Sequence, residues 1–464
     1  MSLLDKNLAG DILDEALSTG GDFAEVFVEK TQGEDIFLSE RQVKKISSGM
    51  HYGVGIRVFL GTFQTYAHTN ILTRDNLLAA ARNAARGIKG QAAAKAADLA
   101  PVAIADQNPV LIYPRDVDKR DKIVLLQEVS ELVYAQSPLI EQVAANIKAE
   151  DREILIANSD GVWAEDRQVR SRFNLSAMAL RDGIKEQSRR GFAKMCGYEL
   201  FDSFPGGREA FAADVAERAV ARTYAANAPS GKMPVIIANG FGGTIFHEAC
   251  GHSLEAIAIS RGTSEFCGKI GQTVASELVT AFDDAGHPGL WGSINIDDEG
   301  MPAGRRLLIE NGVLKGYLID KFYGRKLGLE SNGAGRRQDY TYMPAPRMSN
   351  TYIAAGKSEP EEIIAATAYG LYAKELSGGS VNTTTGEFNF AVDEAYLVRD
   401  GKIAEQVKGA RLIGKGIEVM KKIDMMGSDL AFKEGTCGAS SGHIPVTVGQ
   451  PTIRVSEITV GGQK

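Results

Sequence analysis

Long runs in which apolar and polar residues alternate, separated by glycine and polar turns, constrain the fold of this chain more than any other feature. The first half contains IFLSERQVKKISS, GVGIRVFL and TFQTYAH, and later turns read Ser159-Asp160-Gly161 and Arg181-Asp182-Gly183. Such alternation is typical of strands that bury one face, and such turns join antiparallel neighbours. Strands and helices do not alternate in a sustained way. The sequence therefore predicts an α+β fold with mostly antiparallel sheet and helices packed on the sheets.

Segments with helical spacing are fewer than the strand-like runs. Helices are predicted near residues 6–18, 74–88, 119–135, 208–226, 360–375 and 414–422. An alanine-rich stretch at 90–100 and the turn at 229–231 mark two boundaries between two to three domains. We predict an N-terminal α+β domain at 1–100, a second α+β segment at 101–230 that packs with it as one unit, and a β-rich catalytic domain at 231–464.

The composition argues against several classes of protein. Apolar residues make up 44% of the 464 residues, and the formal net charge of -7 disfavours non-specific binding to nucleic acid. No membrane span is expected, and the acidic, amphipathic first segment is unlike a signal peptide, so we expect a cytoplasmic protein. The four scattered cysteines are too few for a disulfide framework, which fits a reducing compartment.

The segment His247-Glu248-Ala249-Cys250-Gly251-His252 combines two imidazoles with a carboxylate, the side chains that a hydrolytic zinc site needs. In the common H-E-x-x-H motif the histidines are four residues apart and share one helix face. Here they are five residues apart. At about 100° per residue, the second ring would lie about 140° around a regular helix from the first. Convergence of the two rings therefore requires an i→i+5 bulge or a break near Gly251.

Two interpretations of these histidines remain open from the residues alone. They can bind a metal, or they can be hydrogen-bonded structural residues at the start of a helix. A catalytic zinc site usually has a third protein ligand, for which the other histidines, the cysteines and many acids are candidates. Cys437 stands out because it lies in the loop of small residues at 434–442, whose backbone can approach an ion closely. No function is predicted for Cys196, Cys250 or Cys267.

Two carboxylates near the motif have predicted roles. Glu248 directly follows a candidate ligand, and it can take a proton from an attacking water and return it to the leaving amine. Glu255 can hold a histidine ring through its second nitrogen, or it can be an exposed helix carboxylate. A purely structural metal site would not need Glu248.

Longer stretches of the chain resemble a known family. GFGGTIFHEACGHSLEA, GTSEFCGKIGQTVAS and APRMSNTYIAAG, with the GTCG loop, are similar to the TldD/PmbA metallopeptidases, in particular to the TldD-type subunit. The resemblance implies a single zinc ion held by His247, His252 and Cys437, with Glu248 as the catalytic base. It also implies hydrolysis of short or unfolded peptides. Such a peptide can be held by backbone pairing with a sheet edge.

The resemblance further implies a homodimer, or a heterodimer with a related subunit that lacks the H-E-x-x-x-H motif. Candidates for substrate contact lie beside glycine or proline turns, with tight structural turns as the alternative: Arg347, Ser349, Asn350, Thr383 and Thr384. The alternative function is a regulatory or binding subunit with a structural metal, acting on a partner such as DNA gyrase or its modulators. No direct contact with nucleic acid or membrane is expected.

Overall fold

The computed structural model describes residues 2–90, 95–382 and 385–462. It confirms an α+β fold with mostly antiparallel sheets and a strand-rich C-terminal half. One sheet is built by residues up to 194, and the other sheets by residues from 226 onwards. Among the described residues, no helix combines the length and the apolar character that crossing a membrane requires.

The N-terminal sheet consists of long strands joined by tight turns. Its strands are β1 (Phe23–Ser39), β2 (Gln42–Leu60), β3 (Phe63–Thr69), β4 (Ala100–Pro101), β5 (Ile140–Asn158), β6 (Val162–Arg181) and β7 (Ile184–Lys194). The order is β3-β2-β1-β5-β6, and both β4 and β7 pair with β6. Asp182 and Gly183 join β6 to β7 with φ angles of 51° and 83°, the left-handed values of a two-residue hairpin turn. The predicted hairpin at this position is confirmed.

Four helices pack on this sheet: α1 (Lys6–Leu17), α2 (Arg74–Ala85), α3 (Lys119–Tyr134) and α4 (Arg208–Arg222). The first two cover the apolar side chains around Val26 and Ile56, and the last two cover those around Ile36 and Phe173. The predicted helices in this half are therefore present within a few residues of their predicted ends. Strands from both predicted N-terminal segments share the sheet, because β1 pairs with β5.

The C-terminal half contains shorter strands from many parts of the chain. They are β8 (Ala226–Asn227), β9 (Gly231–Ile237), β10 (Ala281–Asp284), β11 (Arg305–Glu310), β12 (Val313–Leu314), β13 (Gly335–Arg336), β14 (Ala345–Pro346), β15 (Asn350–Ile353), β16 (Tyr369–Asn382), β17 (Glu387–Arg399), β18 (Lys402–Lys408), β19 (Arg411–Lys415), β20 (Ile423–Met426), β21 (Ala431–Ala439), β22 (Gly442–Gln450) and β23 (Ile453–Gly461).

These strands form two larger sheets and one short pair. One sheet has the order β16-β9-β23-β19-β17-β18-β8, with β20 attached to β23, and the other has the order β12-β11-β10-β15-β22-β21. The short pair is β13 with β14. Three pairings are parallel, namely β15 with β22, β16 with β9, and β18 with β8. Strands distant in sequence therefore become neighbours in this half.

The helices of this half are short: α5 (Thr244–Phe246), α6 (Ala256–Ser260), α7 (Lys321–Leu327), α8 (Pro360–Ala365) and α9 (Gly416–Lys421). The helix predicted to run to residue 375 ends at Ala365, so that prediction is wrong beyond this point. From Tyr369 the chain is strand β16, because Leu371 and Ala373 are buried where β16 pairs with β9. Tertiary packing here overrides helical spacing.

Buried ion pairs connect the two halves. Arg57 on β2 lies 2.9 Å from a Glu25 oxygen and 2.6 Å from a Glu299 oxygen, and Arg337 lies 2.8 Å from the other Glu25 oxygen. All four side chains are almost completely excluded from solvent. Removing one partner of such a pair would leave an uncompensated buried charge, so these contacts hold the halves in one arrangement.

Candidate metal centre

The backbone between the two motif histidines forms a π-helical turn. Residues His247–Gly251 follow α5, and the N–H of His252 donates to the carbonyl oxygen of His247, an i→i+5 hydrogen bond. This bond adds one residue to the turn, so that the two rings lie on the same side, nearly perpendicular to one another, with centroids 5.2 Å apart. The distortion predicted near Gly251 from the five-residue spacing is confirmed.

Close packing under the turn requires residues without side chains. A Cβ at Gly251 would lie 2.1 Å from Sδ of the buried Met348, and one at Gly243 would lie 2.7 Å from the backbone of Gly449 on β22. Both distances are far below ordinary contact. Glycine at these positions therefore allows the turn to lie directly against the sheet that contains β15 and β22.

The third side chain comes from the hairpin of β21 and β22, 190 residues further along the chain than His247. Sγ of Cys437 lies 3.2 Å from Nε2 of His247 and 3.2 Å from Nε2 of His252. The three donor atoms all lie within 4.8 Å of one another. Two imidazole nitrogens and one thiolate are a donor set that suits a divalent ion such as zinc, so these residues fit the metal that the motif predicted.

The surroundings favour the thiolate form of Cys437. Burial alone would raise the pKa of its thiol, but the nearby His247 and hydrogen bonds from both histidines lower that pKa well below its usual value. For His252, burial would lower the pKa of the ring, but Glu255 and Cys437 raise it well above its usual value. The thiolate is the form that binds metal.

The two histidines are oriented by different means. Nδ1 of His252 lies 3.0 Å from Oε1 of Glu255, whose side chain is only 5% exposed. The interpretation of Glu255 as the residue that holds a histidine ring is confirmed, and such a carboxylate fixes both tautomer and ring orientation. Nδ1 of His247 is buried and has no hydrogen-bond partner among the described residues. Burial of the ring and the contact of its Nε2 with Sγ of Cys437 position His247 instead.

Glu248 lies at the side of the cluster that reaches solvent. Its Oε2 is 3.9 Å from Nε2 of His252, and its side chain is 24% exposed, compared with 11% for His252. A carboxylate in this place can contact a water molecule and the donor cluster at the same time, which is the geometry that a general base requires.

Three residues predicted to contact substrate are instead completely buried. Arg347 donates to the carbonyl oxygens of Cys437 on β21 and Gly442 on β22. Ser349 donates through N and Oγ to Asp283, at 2.7 Å and 2.9 Å, and Asn350 donates to the carbonyl oxygen of Asp284. The predicted contact with substrate does not fit this burial, since all three side chains are closed off from solvent and each donates hydrogen bonds within the protein. Thr383 and Thr384 lie outside the described residues.

The supporting roles of Asp283 and Arg347 were not predicted. Both depend on partners at least 66 residues away, and the local sequence contains no signal for them.

Burial raises the pKa of the Cys250 thiol well above its usual value and that of Cys196 to about 12. Both thiols therefore stay protonated at neutral pH, unlike that of Cys437.

Family models match almost the whole chain. The PmbA/TldA metallopeptidase domain 1 matches residues 24–88, the central domain matches 112–223, and the C-terminal domain matches 230–462. The chain belongs to the PmbA/TldD family of metallopeptidases. The resemblance found in the sequence is thereby confirmed, and the chain is an enzyme of a family whose members use a metal ion.

Curated members of this family are similar over nearly their full length. A metalloprotease TldD homolog from Haemophilus influenzae is 37% identical over 452 residues, 95% of this chain and 93% of that protein. A second homolog, from Buchnera aphidicola of Acyrthosiphon pisum, is 33% identical over 477 residues, 99% of this chain and 98% of that protein.

Solved structures share the fold of this chain. A protein from Thermotoga maritima, named as a candidate modulator of a DNA gyrase, superimposes with a TM-score of 0.80 at 20% identity, over 98% of this chain and 99% of that one. TldE from Thermococcus kodakarensis gives a TM-score of 0.75 at 19% identity, over 97% and 98% of the two chains.

Proposed function

We propose that this family member is a zinc-dependent peptidase that hydrolyses peptide bonds in short or unfolded peptides. His247, His252 and Cys437 hold the zinc, and Glu248 is the general base. The observation that carries the proposal is the convergence of three donor atoms within 4.8 Å beside a carboxylate that reaches solvent. A structural zinc site would normally be closed by a fourth protein ligand, and the cluster of described residues offers three.

Each side chain has a separate role in the proposed hydrolysis. A zinc ion held by His247, His252 and Cys437 would supply Lewis acidity at the carbonyl of the scissile bond. Oε2 of Glu248 takes a proton from the attacking water and passes it to the leaving amine. Glu255 keeps the proton of His252 on Nδ1, so that the lone pair of Nε2 remains available to bind the metal. Cys437 contributes a negative charge to the cluster.

A groove of about 1100 Å³ offers space for an extended peptide. It lies between the polar face of the N-terminal sheet and the C-terminal half, and its lining includes Thr436, which directly precedes Cys437. Asn146, Asn174 and Ser176 form part of its floor. The amide and hydroxyl groups of these residues bond within the protein, so the groove offers an extended peptide space and no fixed set of side-chain contacts. A Ser176→Trp variant should therefore raise KM and leave metal content unchanged, whereas an unchanged KM would remove the groove from the proposal.

The proposed enzyme acts in the cytoplasm as a homodimer or as a heterodimer with a related subunit that lacks the motif. The fold that it shares with TldE from Thermococcus kodakarensis supports a partner of the same architecture. Analytical ultracentrifugation of the chain alone distinguishes the two assemblies, because self-association appears without a second protein.

The decisive experiment compares Glu248→Gln with the wild type and with a control, Glu418→Gln, at an exposed position on α9. We expect Glu248→Gln to keep its zinc and to lose about 10²- to 10⁴-fold in kcat. The control should retain both metal and activity. Full cleavage by Glu248→Gln would overturn the mechanism. A wild type that binds zinc and cleaves no peptide would favour the alternative, a regulatory subunit acting on a partner such as DNA gyrase.

A further inference from the structure

Arg347 contacts the backbone of one proposed ligand, Cys437, and the carboxylate that orients a second, His252. Its Nη2 donates to the carbonyl oxygen of Cys437 at 2.7 Å, and its Nη1 donates to Oγ of Ser441 and to the carbonyl oxygen of Gly442, both at 3.0 Å. Its Nε lies 3.7 Å from Oε1 of Glu255, the oxygen that faces Nδ1 of His252. One guanidinium thus connects the turn that follows Cys437 to the carboxylate that orients His252.

Because the Arg347 side chain is buried, its charge has to be compensated by contacts within the protein. Arg347 and Glu255 are both buried. A buried guanidinium is costly unless hydrogen bonds and an opposite charge compensate it, and both are present here. Without Arg347, the buried carboxylate of Glu255 would lose the guanidinium that lies 3.7 Å from its Oε1.

We propose that Arg347 is a positioning residue of the metal centre, which holds the end of strand β21 at Cys437 and the Glu255 carboxylate so that Sγ of Cys437 and Nε2 of His252 stay converged. The inference rests on the proposed zinc site and assigns Arg347 no contact with substrate. A planar fork of several N–H groups is needed for it, since lysine has one nitrogen and cannot reach the two carbonyl oxygens, the hydroxyl and the carboxylate together.

The test is Arg347→Lys, which keeps the charge and removes the fork. We expect zinc affinity, measured by competition with a chelator, to fall about 10- to 100-fold, as is usual when a residue that supports a metal ligand is changed. In the cobalt-loaded protein, the absorption band from the Cys437 thiolate should shift or weaken. Unchanged affinity and an unchanged band in a folded Arg347→Lys protein would overturn the inference.

Arg306→Lys is the matched control. Arg306 is also buried, and it donates to the carbonyl oxygens of Asn332 and Gly333 and to Asp283, but it contacts none of the proposed ligands. We expect it to lower the melting temperature and to leave zinc affinity and the cobalt band as in the wild type. Equal losses of affinity in both variants would show that Arg347 acts only through general stability, and the inference would fail.

A milder variant keeps the test valid if Arg347→Lys does not fold. Ser441→Ala removes one acceptor of Nη1 and leaves the other contacts of Arg347 in place. We expect a smaller, few-fold loss of zinc affinity and a band change in the same direction, and a wild-type result would contradict the inference. A wild-type chain that binds neither zinc nor cobalt would instead contradict the proposed function itself.

Discussion

The N-terminal sheet and the metal centre are built in different ways. Strands β5, β6 and β7 follow one another in sequence and pair with their neighbours through tight turns. The metal centre instead joins a π-helical turn at His247–Gly251 to a cysteine 185 residues beyond His252. The first region depends on local pattern and turn geometry, whereas the second depends on contacts between distant segments. A one-residue change should therefore be tolerated in the first region and not in the second.

The largest contrast is expected from changing the chain length by one residue in each region. Deleting Ala249 would place the histidines four residues apart on a regular helix but would shift His252 and Glu255 relative to Cys437, so we expect zinc content and peptide cleavage to fall to background. Inserting a glycine between Asp182 and Gly183 lengthens an exposed hairpin turn, which costs little. Metal analysis and circular dichroism of both variants test this, and a zinc-loaded, active deletion variant would show that a regular helix suffices.

Features that depend on local pattern could be predicted from the sequence, whereas features that depend on contacts between distant segments could not. The hairpin at Asp182 and Gly183 follows from local turn chemistry, and the π-helical turn follows from the five-residue spacing, because a regular helix cannot bring both rings together. Residues 366–375 have helical spacing, but the chain leaves the helix there and enters strand β16. The reason is the pairing of β16 with β9, which is distant in sequence. The role of Arg347 was missed for the same reason, because its partner Cys437 lies 90 residues away.

A pH dependence is expected where the two halves meet. Burial and the neighbouring Glu299 raise the pKa of Asp297 to about 7 from a value of 3.8. The folded protein therefore keeps this proton over a range in which the unfolded chain releases it, so the free energy of unfolding should fall as pH rises from about 4 to about 7. Each pKa unit of difference is worth about 1.4 kcal/mol, which sets an upper limit of a few kcal/mol.

Asp297→Asn should flatten this profile, because asparagine cannot release the proton. The control is Asp182→Asn in the N-terminal hairpin, where the carboxylate is 81% exposed. Chemical denaturation at several pH values measures the effect. A profile that is equally steep in the wild type and in Asp297→Asn would show that other buried acids cause it.

A smaller effect is expected from adding a single methyl group in each region. Gly251→Ala places a Cβ 2.1 Å from Sδ of Met348, and overpacking of this kind costs about 1–3 kcal/mol. Gly49→Ala on β2 places a Cβ where nothing lies within 4 Å, so the free energy of unfolding should change by less than about 0.5 kcal/mol. Urea denaturation compares them, and equal stability of the two variants would contradict the tight packing under the π-helical turn.

X-ray absorption at the zinc edge tests the metal centre most directly, because it reports the atoms bound to the ion. We predict one sulfur at about 2.3 Å, together with nitrogen or oxygen neighbours at about 2.0–2.1 Å. The sulfur should disappear in Cys437→Ala. It should remain in Cys250→Ala, which removes the thiol in the π-helical turn between the two histidines. A wild-type spectrum without sulfur, or a Cys437→Ala spectrum that retains it, would contradict the assignment of His247, His252 and Cys437 as the zinc ligands.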